Sequence, residues 1–150
     1  MIGLAAPLAA QTTLSFGGLN VDPNAQVEMT ADKLSVSQTD GAATFEGNVI
    51  IGQGNMRIAA QKVVVTYKDG GGIEKLDASG GVTFVTGTEA AEAQTARYSL
   101  GDQTLRMRGN VLLTQGQNAL TADAMFINLA TGAAVMEGRV KTVLNTGGSN

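Results

Sequence analysis

The sequence predicts an all-β protein made of stacked units of about 30 residues. Three observations carry that prediction: two motifs that recur in phase, alternation of apolar residues with period two, and confinement of proline to positions 7 and 23. The first motif is Gly-x-Val. Phe45-Glu-Gly47-Asn48-Val49 with Gln53-Gly54 returns as Met107-Arg-Gly109-Asn110-Val111 with Gln115-Gly116. Weaker copies stand at Ala78-Ser-Gly80-Gly81-Val82 and Met136-Glu-Gly138-Arg139-Val140, so the glycines advance by 33, 29 and 29 residues. The second motif, Ala31-Asp32, Ala60-Gln61, Ala93-Gln94 and Ala122-Asp123, advances by 29, 33 and 29.

Each element follows from local pattern. Phe45, Gly47, Val49 and Ile51 fall on one face of a strand, and Leu105, Met107, Gly109, Val111 and Leu113 on the equivalent face of another. β-Branched residues dominate Val49–Ile51 and Val63–Thr66. Turn chemistry separates these runs at 39–41, 52–54, 69–72, 100–102 and 130–132. Residues 88–96 have helix-forming composition, but Ala93-Gln94 aligns with Ala60-Gln61, and that register predicts strand from Gln94 to Leu100. No single unit can bury its apolar face, so the units must stack into a continuous core. A β-solenoid, an elongated roll of antiparallel strands and a closed barrel all satisfy that requirement.

Composition narrows the chemistry. The chain of 150 residues has no His and no Cys, which excludes imidazole acid–base catalysis, thiolate chemistry and His- or Cys-ligated zinc; no enzyme, metal or cofactor is expected. Glu89 with Glu92 is the nearest carboxylate pair, on an expected loop without a partner base. No glycine run has the Walker pattern, so an energy source would be another protein. Net charge is −3 without a basic run, which disfavours nucleic acid as a partner. Residues 1–10 resemble the end of a secretory signal with cleavage before Gln11, residues 11–26 read as a flexible segment, 27–144 as the folded domain and 145–150 as a disordered tail.

The segments Val27–Leu34, Phe45-x-Gly47-Asn48-Val49, Ala78-x-Gly80-x-Val82 and Gly109-Asn110-Val111-x-Leu113-x-Gln115-Gly116 resemble the LptA/OstA-like family, over roughly residues 27–144. The resemblance implies a twisted β-jelly-roll of antiparallel strands, open at both ends, that shelters the lipid A acyl chains of lipopolysaccharide in the periplasm. It further implies an LptC-like protein at the N-terminal edge, an LptD-like protein at the C-terminal edge, and head-to-tail self-association. The third copy departs from the pattern, reading Gly80-Gly81-Val82 where the others have Gly-Asn-Val.

With that resemblance, the alternating residues become the lining of a lipid groove: Leu34, Val36, Phe45, Val49, Ile51, Ile58, Val63, Val65, Val82, Phe84, Leu105, Met107, Val111, Leu113, Leu120, Met125, Ile127 and Met136. Without it, the same residues read as a packed core. The lining is aliphatic and methionine-rich, which suits flexible acyl chains. Asn48 and Asn110 read as bend residues. Arg57, Lys62, Arg97, Arg106 and Arg108 read first as solvated faces, with lipid phosphates at a groove mouth as the alternative. The rivals are a structural or adhesive β-solenoid with a solid core, a carboxylate hydrolase on a β-helix, and an LptC-like transport component, for which residues 1–10 are too short an anchor.

Overall fold

The computed structural model describes residues 11–15 (backbone), 25–39, 41–87 and 89–144. The expected leader at 1–10 and tail at 145–150 lie outside the described residues. Among those described there are eleven strands and no helix: β1 (Gln11–Ser15), β2 (Val27–Thr30), β3 (Lys33–Ser37), β4 (Ala42–Gln53), β5 (Met56–Tyr67), β6 (Ile73–Thr86), β7 (Glu89–Ser99), β8 (Thr104–Gln115), β9 (Asn118–Asn128), β10 (Ala133–Glu137) and β11 (Lys141–Val143). Glu89–Ser99 is strand, as register predicted from Gln94 onward; it begins five residues earlier and so takes in Glu89 and Glu92, which were expected on a loop. Gln11–Ser15 departs from expectation: within a stretch read as flexible it pairs antiparallel with β10.

All ladders are antiparallel, in the order β1-β10-β9-β8-β7-β6-β5-β4-β2, and the sheet does not close on itself. A barrel and a parallel solenoid are thereby excluded, leaving the elongated roll. β4 carries two partners in succession, β3 along Ala42–Glu46 and β2 along Ile50–Gln53. β9 does likewise, with β11 on Ala119–Thr121 and β10 on Ala124–Asn128.

The repeated motifs are bends. Each ladder between long strands shifts register at the bend, at Glu46/Val49, Ala59/Lys62, Ser79/Val82, Glu92/Thr95 and Arg108/Val111, and the β5–β6 ladder shifts again at Thr66/Tyr67. Such a bulge turns the strand and sharpens its twist. Gly47 lies at φ +84°, and a Cβ there would stand 2.9 Å from the Cβ of Asp32, so neither the dihedral nor the space admits a side chain. Gly80, Gly109 and Gly138 meet Gln61, Gln94 and Asp123 in the same way, each 2.8 Å from the partner Cβ. The two motifs are therefore the two sides of one contact. The next residue is also left-handed: Asn48 at φ 48°, Gly81 at 90°, Asn110 at 49° and Arg139 at 47°. This accounts for the Asn-to-Gly departure in the third copy, because glycine takes the same conformation more easily than asparagine.

Bending every strand in register folds the sheet double. On β5 the inward residues run Met56, Ile58 and Ala60, then skip to Val63 and Val65. The same skip separates Ala93 from Ala96 and Ala122 from Met125. Both halves of the sheet thus turn the same face inward and bury it against each other. The Tyr98 hydroxyl, in the half that contains β3 and β10, donates to Oε1 of Gln53, in the half that contains β2 and β11, at 2.6 Å.

Candidate functional site

The interior is a set of apolar rows running across the strands from end to end. In the half that contains β3 and β10, one row passes Leu34, Phe45, Val63, Ala78, Ala96, Met107, Met125 and Met136. Beside it runs Val36, Ala43, Val65, Leu76, Tyr98, Leu105, Ile127 and Ala134. In the half that contains β2 and β11, the main row is Met29, Ile51, Ile58, Phe84, Ala91, Leu113, Leu120 and Thr142. Val49, Val82 and Val111 lie next to the bends with Ala60, Ala93 and Ala122 between them, large alternating with small. Such alternation lets facing layers interdigitate.

Of the expected lining, Val49, Ile51, Ile58, Val63, Val65, Val82, Phe84, Leu105, Met107, Val111, Leu113, Leu120, Met125, Ile127 and Met136 are buried together in one cluster, and Phe45 is half-buried against it. Leu34 and Val36 need correction. They point inward by register but are 54% and 68% exposed, not enclosed. The reason is position: β3 pairs only with β4 among the described residues, so no neighbour covers its inner face.

Sequence reasoning left out Met56, Leu76, Ala78, Ala91, Ala96, Tyr98, Leu129 and Ala134, all buried. Their alternation with lining residues was the available signal, weakened by the many alanines. It also left out a polar row. Gln53, Met56, Thr86, Glu89, Gln115 and Asn118 are successive register partners at the strand ends away from the bends. Gln53, Thr86 and Glu89 are the buried polar residues among those described. Gln115 donates to a Glu89 carboxylate oxygen at 3.2 Å, and Gln53 donates to the Ala25 carbonyl. The repeated Gln-Gly pairs marked these positions, with Gly54 and Gly116 (φ +61° and +60°) opening two-residue hairpin loops. The interior is apolar along its length and hydrogen-bonding along this rim. Burial lifts the Tyr98 hydroxyl to a pKa of about 12, so it remains a donor to Gln53 at physiological pH.

Outside, the bends differ in chemistry. Asn48 donates to Asp32 at 3.0 Å, whereas Arg139 pairs with Asp123 at 2.7 Å. That hydrogen bond from Arg139 holds the Asp123 carboxyl below its ordinary pKa. No group of three or more potential metal ligands occurs among the described residues. The five basic residues flagged in the sequence divide: Lys62, Arg97, Arg106 and Arg108 share one groove on the outer face, while Arg57 lies apart, beside Gly52.

Comparison with known proteins agrees with this architecture. Residues 28–133 match the family model described as LptA/(LptD N-terminal domain) LPS transport protein. An uncharacterised protein of Rhizobium meliloti (strain 1021) is 28% identical, with 93% of this chain and 82% of that protein aligned. The lipopolysaccharide export system protein LptA of Escherichia coli (strain K12) is 30% identical over 127 residues, covering 80% of this chain and 68% of that protein. The crystal structure of LptH, the periplasmic LptA homologue of Pseudomonas aeruginosa, superposes with a TM-score of 0.74 over 83% of this chain and 99% of LptH at 15% identity, a likeness of fold. An antiparallel sheet bent double along Gly-x-Val corners, with a matching family model over most of its length, places this chain in the LptA/LptD N-terminal-domain family of lipopolysaccharide transport proteins.

Proposed function

We propose that this chain is a non-enzymatic periplasmic carrier that holds the lipid A acyl chains of lipopolysaccharide between the two halves of its bent sheet. In this reading it bridges transport components of the inner and outer membranes. The observation that carries the reading is the continuity of the apolar rows, which run uninterrupted from β3 to β10 in one half and from β2 to β9 in the other. An acyl chain of ~12 carbons leaving water for such an interior gains about 10 kcal/mol, at roughly 0.8 kcal/mol per methylene. Passing from this interior to a like one gains almost nothing, which is what a relay requires: the lipid is protected at each station and trapped at none.

Between β5 and β9 the rows are packed on one another with almost no exposure, so an acyl chain must take the place of side-chain contacts there as the halves separate. The methionines at 56, 107, 125 and 136 can adjust with little strain, having unbranched, polarizable side chains. The Tyr98–Gln53 hydrogen bond is a contact between halves that such separation breaks.

The ends support assembly. Among the described residues β3 pairs only with β4 and β11 only with β9, and each leaves apolar side chains in water: Leu34 and Val36 at one end, Val143 and Leu144 at the other. An edge of this kind accepts a further strand, extending the sheet and covering those side chains. An LptC-like protein at the N-terminal edge, an LptD-like protein at the C-terminal edge, and a second copy at either are the partners this reading assigns.

The test is equilibrium binding of purified lipopolysaccharide beside the same material stripped of its acyl chains. Retention of the acylated form alone is expected; equal binding of both would refute an acyl-chain groove and leave the interior a solid core.

A further inference from the structure

The outer face of the sheet carries a charge arrangement that the lipid-carrier reading does not use. Beside the bends, one row of outward residues runs Lys62, Ser79, Thr95 and Arg108, and the next runs Val64, Asp77, Arg97 and Arg106. Together with Ala78 and Ala96 they line an open groove of about 570 Å³. Four of the chain's ten basic residues thus line the groove with one carboxylate, that of Asp77, while Glu46 faces Lys62 from β4 at the groove's edge and lies 3.9 Å from Lys33, in a protein whose net charge is −3.

The register makes this more than a chance cluster. Arg97 and Arg106 are direct partners on adjacent strands, and Arg108 faces Thr95 one step along the same ladder. Like charges placed directly opposite each other destabilise a ladder. Asp77 relieves Arg97 alone, at 2.6 Å. Arg106 lies over the Phe126 ring, 5.3 Å from its centroid, a contact that orients the guanidinium without neutralising it. In the neighbouring hollow, shared by Arg106 and Arg108, the acidic residue is Glu137, two strands beyond Arg108 in the same row. The groove therefore keeps an excess of positive charge, with the hydroxyls of Ser79 and Thr95 at its floor. Guanidinium forks and hydroxyl donors around a concave space match a phosphate group, which accepts several charge-assisted hydrogen bonds at once.

We propose that this outer groove binds a phosphate group, free or carried on a sugar, with Arg106 and Arg108 as principal contacts and Lys62, Arg97, Ser79 and Thr95 completing the site. The proposal is independent of the interior: it concerns the opposite face of the sheet and stands whether or not acyl chains enter between the halves. Nucleic acid is not the occupant this groove fits, because the basic residues end within two short rows instead of tracking a backbone.

The test follows the guanidinium Nε–H resonances of the arginines by nuclear magnetic resonance during titration at constant ionic strength. The probes are inorganic phosphate and glucose 1-phosphate, with chloride as the control. Saturable shifts at Arg97, Arg106 and Arg108 with both phosphates, and none with chloride, are expected. Glucose 1-phosphate binding tenfold or more tightly than inorganic phosphate assigns the site to a phosphorylated sugar head group; equal binding assigns it to free phosphate. The double variant Arg106→Gln/Arg108→Gln should lose saturation, and Asp77→Asn, which removes the carboxylate from the groove, should bind several-fold more tightly. Shifts linear in phosphate and matched by chloride would overturn the proposal, as would unchanged saturable binding in the folded double variant. Weaker binding in Asp77→Asn would overturn the electrostatic account.

Discussion

Gly109 has a φ of +90°, and a Cβ at that position would lie 2.8 Å from the Cβ of Gln94. Gly109→Ala therefore suffers both a strained dihedral and a steric conflict, and should cost about 2–4 kcal/mol in urea unfolding. Gly81→Ala, at the same φ with nothing within 4 Å, carries the strain alone and should cost about 1–2 kcal/mol. Equal losses would mean the bend is not packed as described. Tyr98→Phe leaves the buried Gln53 carbonyl oxygen without its 2.6 Å donor, for an expected loss of about 1–3 kcal/mol. The same hydroxyl sets a pH dependence. Its pKa is raised from 10.0 to about 12 in the folded state, so the unfolded chain ionises first. Its contribution to stability is complete below pH 10 and is lost as pH rises through 10 to 12. Denaturation curves across that range should converge for wild type and Tyr98→Phe; a constant gap would contradict the assignment.

Among the elements, the repeat was the most legible feature and its meaning the least. The spacing of Ala-Asp/Gln and Gly-x-Val reported a unit of about 30 residues, which the structure shows to be two strands, since each motif recurs once in every pair of long strands. That Asp32 touches Gly47, and Gln61 touches Gly80, was hidden, since the separations differ (15 and 19 residues) with the longer turn after Tyr67. Alternation named the apolar inward residues of β8 and most of those of β4, where inward residues keep one parity through the bend, but only Val82 and Phe84 of β6, missing Leu76 and Ala78. In β5 and β9 it found inward residues on both sides of the skip at the bend but missed Met56, and in β7, where the inward apolar residues are Ala91, Ala93, Ala96 and Tyr98, it found none. Leu34 and Val36 show what alternation cannot report: which face a residue takes is local, but whether anything covers that face depends on the next strand. Replacing both with lysine should leave the fold intact, since neither is enclosed, while abolishing concentration-dependent head-to-tail association in sedimentation velocity. Undiminished association would place the contact elsewhere. Gln11–Ser15 was illegible for a related reason: its five residues carry no repeat, and its partner β10 stands more than a hundred residues away in sequence.

For the molecule as a whole, one bent sheet has two unlike faces. The inner face is apolar from end to end, with a hydrogen-bonding rim at Gln53, Thr86, Glu89 and Gln115. The outer face gathers Lys62, Arg97, Arg106 and Arg108 beside the bends. A sheet folded double but not closed can part along its rim without breaking a ladder, since all strand pairing lies within each half and across the bends. That separates this architecture from a closed barrel, in which admission of a lipid would have to come through an end. The central claim is that the inner face receives acyl chains. A photoreactive residue placed in turn at Ile51, Phe84 and Met125, with solvent-facing Lys68 as control, tests it by ultraviolet crosslinking to lipopolysaccharide. Crosslinks at the three interior positions and none at Lys68 are the predicted result; a folded protein with no crosslink at any interior position would mean a permanently packed core and would contradict the account.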